Sequence, residues 1–128
     1  MSNAYFKVPQ PINEPVKAYK PGSPEREELK KKLTELKSKQ IEVPLIIGGE
    51  EVRTGNTEKM VIPHNHSHVL GIYHKAGKKE VDMAVEAALE ARKEWSEMPW
   101  EHSASVFLKI ADLLAGPWRS TINAATML

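Results

Sequence analysis

The spacing of hydrophobic positions changes along the chain, and each change marks an element. From Lys78 onward, Val81, Val85, Ala88, Leu89 and Trp95 recur at helical intervals, which predicts a helix running to about Glu97. Ala84, Ala87, Ala88 and Ala91 give that helix small residues that permit close packing. Pro99 suits the opening of a second helix, whose stripe is Phe107, Ile110, Ala111 and Leu114 and which Gly116-Pro117 ends. A third helix is expected from near Ser120. "STINAATML" then stops with no glycine cap, no basic last turn and no polar tail, the pattern expected of a chain cut inside a helix.

Upstream the pattern is that of short strands. Val43 to Ile47 is β-prone, Gly48-Gly49 suits the positive φ angles of a tight turn, and Glu51-Val52-Arg53 resumes the strand, predicting a small hairpin. "KMVIP" and "VLGIYHK" predict a second hairpin, joined by the polar segment His64 to Ser67.

Before the strands, "GSPEREELKKKLTELKSKQ" carries helix-start chemistry. Ser23 is placed to accept a backbone N–H as N-cap, Pro24 takes the first helical position, and Glu25 complements the helix dipole. The helix, about 24 to 38, has only a thin stripe of Leu29, Leu33 and Leu36, so it should lie on a surface with its lysines and glutamates in water. Five of the nine prolines (Pro9, Pro11, Pro15, Pro21, Pro24) fall in the first 24 residues and exclude helix and central strand there. That segment reads as an extended arm. Its apolar residues, Tyr5, Phe6, Val8, Ile12, Val16 and Tyr19, would suit it to lie across another surface; a disordered linker is the other reading. The chain thus divides into an arm over 1–22, a surface helix over 23–40, two β-hairpins over 41–77 and helices over 78–128.

Composition narrows the chemistry. Charged residues make up 27% and the net charge is +1, so nothing draws the chain to nucleic acid or a membrane surface. No apolar run approaches the roughly 20 residues of a membrane span, and the N-terminus lacks the apolar core of a secretion signal. The expected compartment is the cytoplasm. There is no cysteine, which removes disulfides, thiolate zinc sites and a cysteine nucleophile from this stretch.

Four of five histidines lie in "HNHSHVLGIYH". Zinc could accept two of them alternating on one strand face, but His64 and His68 would stand about 13 Å apart in an extended segment, at about 3.3 Å per residue. One strand does not easily converge all three of His64, His66 and His68. Exposed turn histidines, with His74 ending the following strand, are the simpler reading, because Pro63, Asn65 and Ser67 are turn residues. Gly48-Gly49 lacks both the P-loop lysine-serine pair and the G-x-G-x-x-G spacing. Glu27-Glu28 and Glu50-Glu51 show no sign of the burial that would tune them for acid–base work. Trp95, Trp100 and Trp118 fit core or hinge packing better than base stacking.

The ordered run of "PLIIGGEEVRTG", "VIPHNHSHVLGIYHKAGKKEVDMAVEAALEARKEW" and "FLKIADLLAGPWRSTINAATML" resembles the start of the aldehyde dehydrogenase superfamily. "NEPVKAYKPGSPER", the "HNHSH" turn and "ADLLAGPWR" resemble most its 1-pyrroline-5-carboxylate dehydrogenase branch. The resemblance implies an α/β, aldehyde dehydrogenase-like fold, of which this would be the N-terminal portion. It implies that 78–128 is the helical start of an NAD-binding domain and that the parent oxidises L-glutamate γ-semialdehyde to L-glutamate with NAD in proline breakdown. It implies, too, a homo-oligomeric parent, and a mitochondrial matrix location if the source is eukaryotic. The cysteine, glutamate and nucleotide-binding units of that chemistry would lie beyond Leu128, so no catalytic, cofactor-binding or metal-binding residue is expected here. Ser103 stands where the resemblance leads one to expect arginine, with the loss of a salt bridge at the helix start. The competing reading is a small stand-alone module that binds a protein partner through its arm and helix face. Under the first reading, Val81/Val85/Leu89 and Phe107/Ile110/Leu114 should cover one another only in part.

Overall fold

The computed structural model describes residues 5, 7 and 10–128, and Phe6 and Val8 of the arm lie outside the described residues. Among the described residues four helices and five strands follow one another: α1 (Pro24–Ser38), β1 (Ile41–Val43), β2 (Leu45–Ile47), β3 (Glu50–Val52), β4 (Thr57–Ile62), β5 (Asn65–His74), α2 (Lys78–Glu97), α3 (Trp100–Ala115) and α4 (Arg119–Met127).

The β-prone segment expected over Val43 to Ile47 is in fact two strands. Pro44 has no N–H to donate, so the ladder breaks there. β1 runs parallel to β5, with Ile41 opposite Gly71, while β2 turns through Gly48-Gly49 (φ +60° and +86°) to pair with β3. The sheet order β1-β5-β4 therefore joins the first strand to the last, with β4 antiparallel on the far side.

Gly71 is what allows that close parallel pairing. A Cβ built there would stand 2.0 Å from the carbonyl oxygen of Ile41 and 2.8 Å from its nitrogen. No side chain fits between two such backbones.

The second hairpin is tighter than the sequence suggested. Asn65 already pairs with Ile62, so only Pro63-His64 forms the connection, and the next pair is Val61 with Val69. His66, Ser67 and His68 are extra residues on β5, an irregularity that increases local twist.

The helices end where the punctuation residues place them, but α1 starts differently. The Ser23 side chain makes no cap bond and its buried hydroxyl has no partner among the described residues. Its carbonyl instead accepts the N–H groups of Arg26 and Glu27. Leu29, Leu33 and Leu36 are half-buried, and α1 packs on α4. There Ala124 is fully enclosed and the Ser120 hydroxyl donates to Glu28 Oε1 at 2.8 Å. The described part of the arm reaches the same seam through polar bonds. Arg119 donates to the Pro15 carbonyl at 2.7 Å, Asn123 to the Tyr19 hydroxyl at 3.1 Å, and Arg26 to the Tyr19 carbonyl at 3.4 Å.

Little apolar surface is removed from water. Ile62 and Ala124 are the buried hydrophobic residues among those described, and α1, α2 and α3 bury no residue completely. The accessible surface is 10569 Å², against about 6,800 Å² for a folded monomer of this mass. α2 packs on β2 and α3 on α4, and each stripe stays open: Leu89 is 57% and Phe107 64% exposed.

Two outcomes follow from this packing. Gly71→Ala should separate β1 from β5, destabilising the chain by about 1–3 kcal/mol or more, read as a lower urea midpoint together with loss of amide protection at Ile41–Val43. The isolated chain should self-associate through its open stripes, so sedimentation velocity should show species that grow with concentration. A monodisperse monomer with a sharp, concentration-independent melt would contradict that expectation.

Candidate functional site

The histidine-rich stretch resolves into four separate environments. His64 sits in the turn and His66 is exposed on β5. His68 extends its Nε2 to the Lys37 carbonyl at 3.1 Å, which serves one of the last carbonyls of α1 that have no helical partner. His74 ends β5, the strand-end position expected of it, and it is buried. Among the described residues no three His, Cys, Asp or Glu side chains group as a metal ion would require.

His74 is the best-connected polar side chain of the sheet. Its Nδ1 accepts the backbone N–H of Thr54 at 3.0 Å and of Gly55 at 3.2 Å. With the Nδ1 lone pair so used, the proton belongs on Nε2, which donates to Glu42 Oε1 at 2.7 Å. Glu42 comes from β1, the amides from the turn after β3, and the imidazole from β5. One ring thereby ties three segments. It has no free lone pair with which to accept a substrate proton, so the arrangement is a clasp and not a general base. Burial of His74 was hard to foresee because its partners lie 19 to 32 residues away in sequence. The one local hint was its register, two positions beyond Ile72 on the same strand face.

The acidic residues are surface groups, as expected. Arg53 bridges Glu51 at 2.7 Å and Glu42 at 3.5 Å, with all three side chains about half exposed. Glu27 pairs with Lys30 at 3.2 Å in the open. Ser103 donates its hydroxyl to the Trp100 carbonyl inside α3, a purely local bond.

The N-terminus of α2 after β5 is an obvious anion position, and it is already served from within the chain. There the Gly77 N–H donates to Glu80 Oε2 at 2.8 Å, so a carboxylate already occupies the place a phosphate would take. The larger open feature is apolar: a cleft of about 950 Å³ between the arm and α3, lined by Pro11, Ile12, Trp100, Phe107, Leu108 and Ala111 among others. Together with the exposed faces of α2 and α3 it is apolar surface left open to water.

The clasp has a pH signature. The His74 hydrogen bond, helped by the Arg53 guanidinium, holds the Glu42 carboxyl below the ordinary glutamate value. A depressed folded value means stability that is present above the unfolded value, about 4.3, and lost as the pH falls through the folded one. The melting temperature of the native chain should therefore exceed that of Glu42→Gln above about pH 5, and the two should converge at the acid end. A gap that persists unchanged to the acid end would show that the charge of Glu42 is irrelevant.

Comparison with known proteins places this architecture. The aldehyde dehydrogenase family model matches residues 51–125. The chain is 46% identical over 126 residues to a delta-1-pyrroline-5-carboxylate dehydrogenase of Agaricus bisporus, covering 98% of this chain and 23% of that protein. The human mitochondrial delta-1-pyrroline-5-carboxylate dehydrogenase is 46% identical over 116 residues, 91% of this chain and 21% of that protein. The crystal structure of the Mycobacterium tuberculosis delta-pyrroline-5-carboxylate dehydrogenase with NAD and cobalamin superposes at a TM-score of 0.95 and 44% identity, over 100% of this chain and 24% of that one. The chain thus spans less than a quarter of the length of these relatives. Because the family model runs through more than half of the chain, from β3 into α4, and the whole chain superposes on a dehydrogenase structure, this chain belongs to the aldehyde dehydrogenase family.

Proposed function

We propose that this chain is the N-terminal part of an NAD-dependent dehydrogenase that oxidises L-glutamate γ-semialdehyde (1-pyrroline-5-carboxylate) to L-glutamate in proline catabolism. The observation that carries this reading is the 44% identity and 0.95 TM-score over the full chain to a dehydrogenase of that name. The open faces of α2 and α3 support it, since a scaffold needs such surfaces to meet the rest of its polypeptide.

In this reading the chain itself is scaffold. No residue of it is assigned to catalysis, to NAD or to a metal. Residues 78–128 open the NAD-binding domain, the arm over 1–22 and the surface helix over 23–40 flank it, and 41–77 brace it with the strands. The nucleophilic cysteine and the nucleotide site belong to the remainder, because this sequence has no cysteine and the start of α2 is closed by Glu80. The parent works as a homo-oligomer without nucleic acid or membrane partners. No helix among the described residues is long and apolar enough to cross a membrane. Its compartment is the cytoplasm, or the mitochondrial matrix for a eukaryotic source, a reading supported by the human relative's being named mitochondrial.

The test is an assay of NAD reduction with L-glutamate γ-semialdehyde on the 128-residue chain beside a parent that continues past Leu128. Activity is expected in the parent and none in the short chain. Turnover by the short chain, or none by the parent, would overturn the proposal.

A further inference from the structure

The β2–β3 hairpin is a sheet of its own, joined along the chain to the three-stranded sheet by Pro44 on one side and by residues 53–56 on the other. Pro44 has no N–H with which to fasten it, so the attachment falls to 53–56. There the Lys75 N–H donates to the Asn56 carbonyl at 2.8 Å and the Thr54 hydroxyl to the Lys75 carbonyl at 3.0 Å. The third fastening is the His74 ring, whose Nδ1 takes the N–H groups of both Thr54 and Gly55.

Both of those bonds need a bare Nδ1. A proton placed on it makes the ring nitrogen a donor that faces two other donors, so both bonds are lost together. The bond to Glu42 survives, because Nε2 donates in the neutral and in the charged ring alike. The turn in its seated position therefore binds one proton fewer at this ring than the released turn does, and acid favours release. Glu42 attracts a charged ring in either position, so it does not set the sign.

The charged groups around the ring are Glu42 on β1, Arg53 after β3, Glu58 on β4 and Lys75 after β5. Arg53 pairs with Glu42 and Glu51, and Lys75 with Glu58 at 3.3 Å. Carboxylates, arginine and lysine ordinarily hold one charge between about pH 5 and about pH 8, the interval in which an imidazole changes its own. The His74 side chain is only 4% exposed, so its partners are those of this chain, whatever lies over the neighbouring surface. Gly55, at φ +76° and with open space where a Cβ would stand, leaves the turn room to move.

We propose that His74 is an acid-operated catch: protonation of Nδ1 releases residues 53–56 and frees the β2–β3 hairpin to move against the three-stranded sheet, while Glu42 keeps β1 fastened to β5. α2 packs on β2, so the displacement of the hairpin reaches that helix as well. The catch is independent of which aldehyde the parent oxidises.

The experiment uses the full-length parent. Hydrogen exchange is followed in steps from about pH 8 to about pH 5, with each rate corrected for the intrinsic pH dependence of amide exchange. Protection at Thr54 and Gly55 should fall by at least about tenfold over that interval while Ile41–Val43 keeps its protection. His74→Asn offers an amide oxygen in place of Nδ1 and takes up no proton in this range, so its turn should stay equally protected throughout. Protection at Thr54 and Gly55 that does not change with pH would overturn the proposal. So would a fall shared equally by Ile41–Val43, which is general loosening in acid, or the same fall in His74→Asn with native circular dichroism. Should that variant not fold, the contrast between the two segments in the native protein decides alone.

Discussion

The seam between α1 and α4 is the constraint on which the arrangement of this chain depends. It joins the first helix to the last, with Ala124 fully enclosed and the Ser120 hydroxyl on Glu28. Small residues are required there, since a helix that approaches another this closely has no room for a longer side chain. The arm is tied to the same helix through Arg119 and Asn123, and α3 packs against it too. Were α4 to lift away, the arm, α1 and α3 would each lose their principal neighbour.

The sheet has its own fastening, and its character differs. Gly71 lets β1 lie against β5, and His74 holds the same strand by its Glu42 side chain while bonding the turn after β3. Packing fills little of this region, with Ile62 its one apolar side chain almost wholly removed from water among the described residues. Backbone proximity and a satisfied polar ring do what a hydrophobic core does in a larger domain. Such networks favour one strand register over its neighbours, because a slipped register leaves buried donors and acceptors unpaired.

Local signals in the sequence were reliable where the physics is local. Pro24, Pro99 and Gly116-Pro117 marked helix limits because proline and glycine act through their own backbone, and the stripes of α2 and α3 followed from helical period alone. The family resemblance was legible in the same way, as ordered segments. What sequence reading missed lies across long separations. The parallel partner of Ile41 is thirty positions away, the role of His74 is set by residues 19 to 32 positions distant, and the polar anchoring of the arm depends on side chains 104 positions away. The split at Pro44 is the exception, a local signal overridden by the β-propensity of its neighbours. The open apolar faces of α2 and α3 were foreseeable as two stripes, but the cleft between the arm and α3 was not, because an extended segment has no period that reveals where it lies.

The separation across the α1–α4 seam also sets an order of events. Glu28 leaves the ribosome 92 residues ahead of Ser120. At about 5–20 residues per second, α1 spends roughly 5–18 s without the helix that covers its leucines. A fifteen-residue helix with so thin an apolar face is marginal alone in water, so during synthesis that segment exists as a fluctuating coil until the later-translated α4 arrives and imposes its final shape.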